Sequence, residues 1–383
     1  MQADQVKGAI IPSNNSDNYV AKGLGQSHNG VYGLGEWREL IDKKTGEAYQ
    51  ISSPGWAGAY PWINKHDKVY GFFISHVTGS SAKEDGFSSF FGSPVISRTV
   101  SEILKGKPLV VKQGRINVGN GSLYYEEAGQ GEPIIFVHGH SLDHRMWDEQ
   151  FSVFAKKYHV IRYDLRGYGI SSSQTEDYQF MHVEDLVTLM DSLHIKKAHI
   201  VGLSLGGFIT ADMLAYFPDR MLSAFLASGN IRKSKGPSEP MTKEEAKVRD
   251  DEIAALKKKG VEVMKKEWFE GLMKSGSSQR ERMRVPLWQM IDEWDAWQPL
   301  HKEVRVVAGL DAIEELKKSH PAVPSLIVEG HSSDNKFSKN PPILEYLPNG
   351  KLKIIEDCGH MMNMERPEEF NAALEEFLIN IEQ

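Results

Sequence analysis

Apolar residues in the second two-thirds of the chain come in short, nearly unbroken runs, and each run ends at a polar or glycine-rich turn. A continuous apolar run of about four to eight residues bounded by turn signals is typical of a strand buried on both faces. The pattern therefore predicts six buried strands. They span residues 133–137, 160–163, 198–201, 221–227, 324–328 and 352–355.

Between residues 229 and 323 the pattern changes to charged, helix-like sequence. Acidic and basic side chains over 244–259 predict a solvated amphipathic helix. Further along, Met264, Trp268 and Leu272 recur every fourth residue, which places them on one face of a second helix. Trp288, Trp294 and Trp297 follow. A stripe of methionine and tryptophan is more often core than ligand pocket, so packing is the default interpretation.

The first hundred residues follow neither pattern. A glycine- and tryptophan-rich stretch up to Ile63, a polar turn over 64–68 and an apolar run over 69–75 predict a β-hairpin. Residues 94–105 then predict a helix. We expect residues 1–105 to form a separate module, joined to the rest over 106–114. The alternative is that the chain is one part of a longer fusion.

Ser204 is the strongest candidate for chemistry. It lies in Gly202-Leu203-Ser204-Leu205-Gly206, directly after the apolar run 198–201. A strand that ends in Gly-x-Ser-x-Gly and passes at once into a helix predicts a nucleophile elbow, in which a sharp turn holds the serine hydroxyl clear of the sheet. The N–H groups at the start of the helix then face the reacting centre.

The loop after the first of these strands supplies the second expected element. It reads His138-Gly139-His140-Ser141, and it follows the run 133–137. In an acyl-transfer hydrolase this loop provides one backbone N–H of the oxyanion hole, and the residue after the nucleophile provides the other. We therefore assign the two donors to the N–H groups of His140 and Leu205.

The same loop also suggests a metal site, because His138, His140, Asp143 and His144 stand close together. The spacing resembles a two-zinc hydrolase signature but has one residue too many, and an extra residue changes the direction in which the ligands point. The oxyanion interpretation is favoured, and no metal or other cofactor is expected.

His360 is the candidate general base. It follows the run 352–355 on a loop and is preceded by Gly359. A serine hydroxyl is a poor nucleophile until a positioned base takes its proton, and histidine suits that role at neutral pH. Asp164 and Arg166, which follow the run 160–163, are expected to form structural ion pairs and to take no part in the chemistry.

Taken together, these segments resemble the α/β-hydrolase superfamily. The resemblance covers about 111–383, and Ser141 to Asp148 is typical of its compact bacterial esterases and enol-lactonases. It implies an α/β fold with a mostly parallel sheet flanked by helices. The core would comprise 111–228 and 324–383, with a helical cap inserted at 229–323. Trp268, Trp288 and Trp294 of this cap are expected to line an apolar substrate pocket.

The family's order of catalytic residues is Ser, then Asp or Glu, then His, which requires an acid between Ser204 and His360. Asp334 is the preferred acid, because it lies beyond the C-terminal end of the run 324–328, where catalytic groups gather in open α/β sheets. Relatives place two residues between the glycine and the aspartate, whereas this chain has three. Glu329 is the alternative, and Asp357 is too close in sequence to His360.

The predicted activity is hydrolysis of a small carboxylic ester or lactone through Ser204, His360 and Asp334, with an acyl-enzyme intermediate. The alternative is a pseudo-hydrolase that binds a ligand without turning it over. The intact serine and histidine favour an enzyme.

Residues 1–105 resemble the C-terminal end of serine β-lactamase-like and penicillin-binding-type proteins, which implies a small α+β module. Three strings typical of that family occur in the wrong order, so we expect the module to be non-catalytic and to act in packing or self-association. The strings are Ser80-Ser81-Ala82-Lys83, Ser16-Asp17-Asn18 and Lys44-Thr45-Gly46.

Composition narrows the class of protein. The 383 residues are 40% hydrophobic, and the net charge of −7 gives no electrostatic reason to bind nucleic acid. One cysteine, Cys358, excludes an intramolecular disulfide, and packing is its expected role. The sequence contains no apolar run as long as a membrane span and no secretory signal core, so a cytoplasmic location is expected.

Overall fold

The structure is a computed structural model, and the chain divides into two compact units, Met1–Pro108 and Leu109–Gln383. It describes residues 31–32, 37–41, 48–52, 59–65, 69–74, 100, 109–176, 178–229, 231, 242–302, 305–306, 312–332 and 341–382.

The first unit contains a five-stranded antiparallel sheet in which neighbours in sequence are neighbours in space. The predicted hairpin is confirmed: Ile63 pairs with Tyr70, and the side chain of Trp62 covers Gly71, where a Cβ would lie 2.2 Å from the indole ring. The three β-lactamase-like strings and, apart from Val100, the predicted helix 94–105 lie outside the described residues. The strands are β1 (Val31–Tyr32), β2 (Trp37–Ile41), β3 (Ala48–Ser52), β4 (Ala59–Asn64) and β5 (Val69–Ile74).

The second unit is built on an eight-stranded sheet in the order β15-β14-β12-β11-β8-β9-β7-β6. All pairs are parallel except β6 with β7 and β7 with β9. The six predicted strands are confirmed, and all belong to this sheet. Its strands are β6 (Val111–Val118), β7 (Gly121–Ala128), β8 (Pro133–Val137), β9 (His159–Tyr163), β11 (Ala198–Leu203), β12 (Met221–Ala227), β14 (Ser325–His331) and β15 (Gly350–Glu356); β10 (Phe180–Met181) pairs separately with β13 (Arg305–Val306).

Burial on both faces explains the unbroken apolar runs. Along β8, Ile134 and Phe136 join one buried cluster, while Ile135 and Val137 join a second. The flanking helices are α1 (Asp148–Phe154), α2 (His182–Ser192), α3 (Leu205–Tyr216), the short α9 (Met362–Glu365) and α10 (Pro367–Glu382). The sheet therefore lies between two helical layers, as an α/β-hydrolase fold requires.

Helices also dominate the connection between β12 and β14, as predicted. They are α4 (Lys243–Lys259), α5 (Val261–Lys274), α6 (Arg284–Glu293), α7 (Trp297–Leu300) and α8 (Ala312–Ser319). The helix predicted at 244–259 begins with a capping box formed by Thr242 and Glu245. Helix α8 packs against α3, and its Leu316 shares a buried cluster with Ile209. Within the predicted insertion 229–323, helix α8 therefore belongs to the layer of helices that flanks the sheet. The four helices that precede it, α4 to α7, are called the α4–α7 segment below.

Along the described residues, no helix combines the length and the apolar character needed to cross a lipid bilayer.

Candidate active site

Ser204 occupies the junction between β11 and α3 in a sparsely populated backbone conformation, with φ 56° and ψ −111°. Two glycines make this turn possible. A Cβ at Gly202 would lie 2.1 Å from the carbonyl oxygen of Gly206, and a Cβ at Gly206 would lie 2.0 Å from that of Val137. The Ser204 N–H donates to the Ala227 carbonyl at 2.8 Å, which ties the turn to the neighbouring strand. The sheet thus fixes this conformation despite its strain.

His360 lies on the loop between β15 and α9, and it shares a cavity of about 290 Å³ with Ser204. Burial holds the pKa of the His360 imidazole below its ordinary value, which favours the neutral form that can accept a proton. The structure therefore brings together the two side chains that the sequence singled out as nucleophile and base.

A buried carboxylate fixes the His360 loop. Glu365 accepts a hydrogen bond from the Gly359 N–H at 2.7 Å and another from the Ser277 N–H at 2.7 Å. Its side chain is fully buried, and Ser277 belongs to the turn between α5 and α6. The sequence analysis missed Glu365. The available signal was a carboxylate directly after three methionines within residues 361–364.

The loop after β8 is held by the side chain of His138, which is fully buried. The Leu165 N–H donates to its Nε2 at 2.9 Å, so Nδ1 carries the proton and donates to the Gly139 carbonyl at 2.8 Å. Burial lowers the pKa of His138, consistent with this neutral form. The peptide that carries the His140 N–H is thereby oriented. His140 and Leu205, the two predicted oxyanion donors, both line the cavity beside Ser204.

The three histidines of this loop have separate partners. His140 Nδ1 lies 2.7 Å from the Tyr168 hydroxyl, whereas His144 Nδ1 lies 2.7 Å from a carboxylate oxygen of Asp164. Burial lowers the pKa of His144, but the hydrogen bond and charge of Asp164 outweigh it and raise the pKa above its ordinary value. His138, as described, is engaged with the backbone.

A different group, Asp143, His144 and Asp164, has potential ligand atoms within 4.8 Å of one another. Both oxygens of Asp143 are occupied by Arg145, and Asp164 accepts from the backbone N–H groups of His144 and Ile170. These carboxylates are thus engaged in structural contacts. The predicted structural role of Arg166 is confirmed by its buried ion pair with Asp185 at 2.6 Å.

The end of β14 meets the His360 loop directly. A Cβ at Gly330 would lie 2.3 Å from the Gly359 carbonyl, and the Cys358 N–H donates to the His331 carbonyl at 3.0 Å. The end of β14, at Gly330 and His331, therefore lies beside the loop that carries His360. Asp334, the preferred acid, lies outside the described residues.

Glu329, the alternative acid, sits inside β14 opposite Ile354 of β15. Burial raises the pKa of its carboxyl to about 7, and no hydrogen-bond or charge partner is found for it within the described part of the chain. Asp357, by contrast, accepts hydrogen bonds from the Ser278 hydroxyl and the Arg366 guanidinium.

The three tryptophans predicted for the pocket differ in position. Trp268 lines the cavity, but Trp288 and Trp294 are not among its lining residues. Trp294 is buried, donates to Gln298 Oε1 at 2.8 Å and makes an edge contact with the His140 ring, with ring centroids 5.0 Å apart. Trp288 packs on Phe269, with ring centroids 5.2 Å apart. Both rings therefore support residues near the cavity without forming its wall, which corrects the prediction for these two.

Apolar side chains form most of the remaining wall of the cavity. They are Leu142, Leu203, Leu205, Phe208, Leu272 and Met361. Cys358 is buried, and burial raises the pKa of its thiol, which agrees with the predicted packing role and argues against a nucleophile.

The sequence is similar to those of known hydrolases. The chain is 24% identical over 264 residues to the (E)-2-((N-methylformamido)methylene)succinate hydrolase of Acinetobacter baylyi, with 68% of this chain and 95% of that protein covered. It is 25% identical over 264 residues to 3-oxoadipate enol-lactonase 2 of the same species, covering 66% and 92%.

Among solved structures, Est816, described as an N-acyl homoserine lactone degrading enzyme, matches with 27% identity and a TM-score of 0.53, over 69% of this chain and 100% of that one. The model of the alpha/beta hydrolase family matches residues 134–373, which is more than half of the chain. With the fold, the elbow at Ser204 and the cavity shared with His360, these matches show that the chain belongs to the alpha/beta hydrolase family.

Proposed function

We propose that this protein is a serine hydrolase that cleaves a carboxylic ester or lactone. The observation that carries the proposal is that Ser204, held at a strained strand-to-helix turn, and His360 line the same cavity. The activities of two relatives, an enol-lactonase and a lactone-degrading enzyme, support a reaction at an acyl carbon.

The proposed reaction has two steps. Ser204 Oγ attacks the acyl carbon while His360 takes its proton, and the resulting imidazolium protonates the leaving alkoxide. A water that His360 deprotonates then attacks the acyl carbon, the bond to Ser204 Oγ breaks, and the imidazolium returns the proton to Ser204 as the carboxylic acid leaves. The negative charge on the tetrahedral oxygen is stabilised in each step by the N–H groups of Leu205 and His140. An acid from the loop after β14 holds the imidazole in the required tautomer.

The cavity favours a small substrate with an apolar acyl group. Its volume of about 290 Å³ is near the lower end for ligand pockets, about 300 to 1,000 Å³. Leucine, phenylalanine, methionine and tryptophan supply most of its side chains. Transfer of a short alkyl or alkenyl chain from water to such a wall is favourable by about 0.8 kcal/mol per buried methylene.

Labelling with a fluorophosphonate tests the proposal. We expect one phosphonylated peptide, containing Ser204, and parallel loss of activity on p-nitrophenyl esters of short acyl chains and on small lactones. A pseudo-hydrolase, the alternative class, would bind such molecules without turnover and would show no activity above background.

Substitution of the two candidate acids distinguishes them. We expect Asp334→Asn to lower kcat for a p-nitrophenyl ester by roughly 10²- to 10⁴-fold, since amide at this position disturbs the histidine tautomer more than the packing. Glu329→Gln should leave kcat within about threefold of wild type, because residue 329 lies inside strand β14 and not in the loop beyond it. The reverse order of effects would transfer the acid role to Glu329.

The stability of the fold should respond to Glu329 in a pH-dependent way. The folded-state pKa is about 7 and the unfolded value is 4.5. The folded state therefore keeps a proton that the unfolded chain releases, and stability falls as pH rises from 4.5 to 7. Glu329→Gln removes this penalty. In urea denaturation at pH 8 we expect the free energy of unfolding of Glu329→Gln to exceed that of wild type by on the order of 2 kcal/mol, a value already lowered for the partial solvent exposure of the carboxyl. At pH 4.5 we expect little difference.

Chelation tests the expectation that no metal takes part. Prolonged dialysis against EDTA should leave esterase activity within about 10% of the untreated protein, since the nucleophile is activated by His360. A loss that zinc restores would instead make the groups around His144 a catalytic centre.

A further inference from the structure

One hydrogen-bond chain links helix α5 to the loop that carries the proposed oxyanion donor. Trp268 Nε1–H donates to Ser141 Oγ at 2.7 Å, and Ser141 Oγ–H donates to the His140 carbonyl at 2.5 Å. The direction is fixed by chemistry, because an indole nitrogen only donates and a hydroxyl has a single proton to give onward.

Core packing does not account for Trp268. Its neighbours on α5, Phe269 and Leu272, are 5% and 8% exposed, whereas Trp268 is 41% exposed. The polar edge of the indole nevertheless meets a hydroxyl that is fully buried. Trp268 is therefore placed by its hydrogen bond, by the cavity that its ring lines and by an edge contact with the His140 ring, whose centroid lies 6.0 Å away.

Ser141 needs an external restraint. It has φ 64°, in the left-handed region that costs a residue other than glycine roughly 1–2 kcal/mol. Such a conformation persists where its surroundings over-determine it. Here the hydroxyl is held on one side by Trp268 and on the other by the His140 carbonyl.

The two peptide groups that flank the His140 Cα are thus both fixed by side chains. His138 holds the peptide before it through the Gly139 carbonyl, and Ser141 holds the peptide after it through the His140 carbonyl. The first restraint acts on the peptide that contains the His140 N–H, and the second acts on the next peptide, so together they limit rotation about both backbone bonds of His140. The second of these restraints depends on α5.

We propose that Trp268 is a positioning residue for hydrolysis: through Ser141 it holds the His140 N–H in the direction that stabilises the oxyanion, so that the oxyanion hole is complete only with helix α5 in place. This inference rests on the proposed function, in which the His140 N–H is one of two oxyanion donors.

Three variants test the proposal: Trp268→Phe, Ser141→Ala and the double variant. The matched control is Trp288→Phe, which makes the same substitution elsewhere in the α4–α7 segment. Among the described interactions, Trp288 contacts Phe269 and does not contact Ser141. Removal of a whole oxyanion donor costs about 10²- to 10³-fold in kcat. A misdirected donor should cost less, and we expect kcat to fall about tenfold or more in Trp268→Phe and in Ser141→Ala. KM should stay within about twofold of wild type in Ser141→Ala, which leaves the cavity wall unchanged.

The double variant should lose no more than the larger single effect, because both changes break one chain. Affinity for a trifluoromethyl ketone, which forms the tetrahedral adduct on Ser204, should fall by the same factor as kcat/KM, while affinity for the carboxylic acid product stays constant. Each variant should unfold cooperatively at a temperature above that of the assay, and Trp288→Phe should match wild type in every kinetic readout.

Ser141→Ala is the decisive variant, because Ser141 is not among the cavity-lining residues and the substrate wall is unchanged. A folded Ser141→Ala with wild-type kcat, or single losses that multiply in the double variant, would overturn the proposal. If alanine at φ 64° prevents folding, Ser141→Gly removes the same hydroxyl without the strain and takes its place. Failure of the proposed function is separate: it would appear as wild-type protein that the fluorophosphonate does not label.

Discussion

Replacing Ser204 with alanine should lower kcat for a p-nitrophenyl ester by about 10⁴-fold or more while leaving the fold intact. The variant loses only one hydroxyl, and the strained backbone at this position is held by Gly202, Gly206 and the hydrogen bond to Ala227. Without the oxygen, no covalent acyl-enzyme forms. Steady-state kinetics, with circular dichroism and thermal unfolding on the same samples, measure the effect.

The matched control is Ser192→Ala, an exposed serine at the end of α2. It should retain wild-type kinetics and wild-type labelling by a fluorophosphonate. Activity of Ser204→Ala within tenfold of wild type would rule out Ser204 as nucleophile and would leave the cavity with another role.

Replacing Gly206 with alanine should destabilise the protein by about 3 kcal/mol or more, the upper end for an overpacked site. The new Cβ would lie 2.0 Å from the Val137 carbonyl oxygen and 3.0 Å from that of His138. Both obstacles are backbone, so strand β8 and helix α3 must separate. Urea denaturation measures the change, and a variant that expresses only as insoluble protein also agrees with it.

Gly271 provides the control for this substitution. It lies within helix α5, and a Cβ there meets no atom within 4 Å. Gly271→Ala should therefore stabilise the protein by about 0.5–1 kcal/mol, since it removes the flexibility of glycine from a helix. If Gly206→Ala were as stable as wild type, the close approach of β8 to the elbow would be wrong.

The strands and the two principal site residues could be predicted from the sequence because their signals are local. A run such as 198–201 shows its burial directly, and the turn at Ser204 requires glycine within two residues on either side. His360 follows a predicted strand and a glycine. These patterns depend on backbone geometry and sheet burial, which neighbouring residues determine.

The features that escaped prediction depend on contacts between distant residues. Helical periodicity placed Trp268 on an apolar face, but it could not show that Trp288 meets Phe269 while Trp268 reaches Ser141, 127 residues away. The partner of Glu365 at Ser277 is 88 residues distant. The acid could not be chosen, because the sequence from the end of β14 onward offers two carboxylates, Glu329 and Asp334, and no local pattern separates them.

The Glu365 carboxylate couples two parts of the site that lie far apart in the sequence. It accepts hydrogen bonds from the Gly359 N–H, next to His360, and from the Ser277 N–H in the turn between α5 and α6. Loss of one hydrogen bond to a buried carboxylate costs about 1.5–3 kcal/mol. A change that displaces this turn therefore also removes a restraint from the carboxylate that fixes the loop of the proposed base, so the α4–α7 segment influences His360 without contacting its ring.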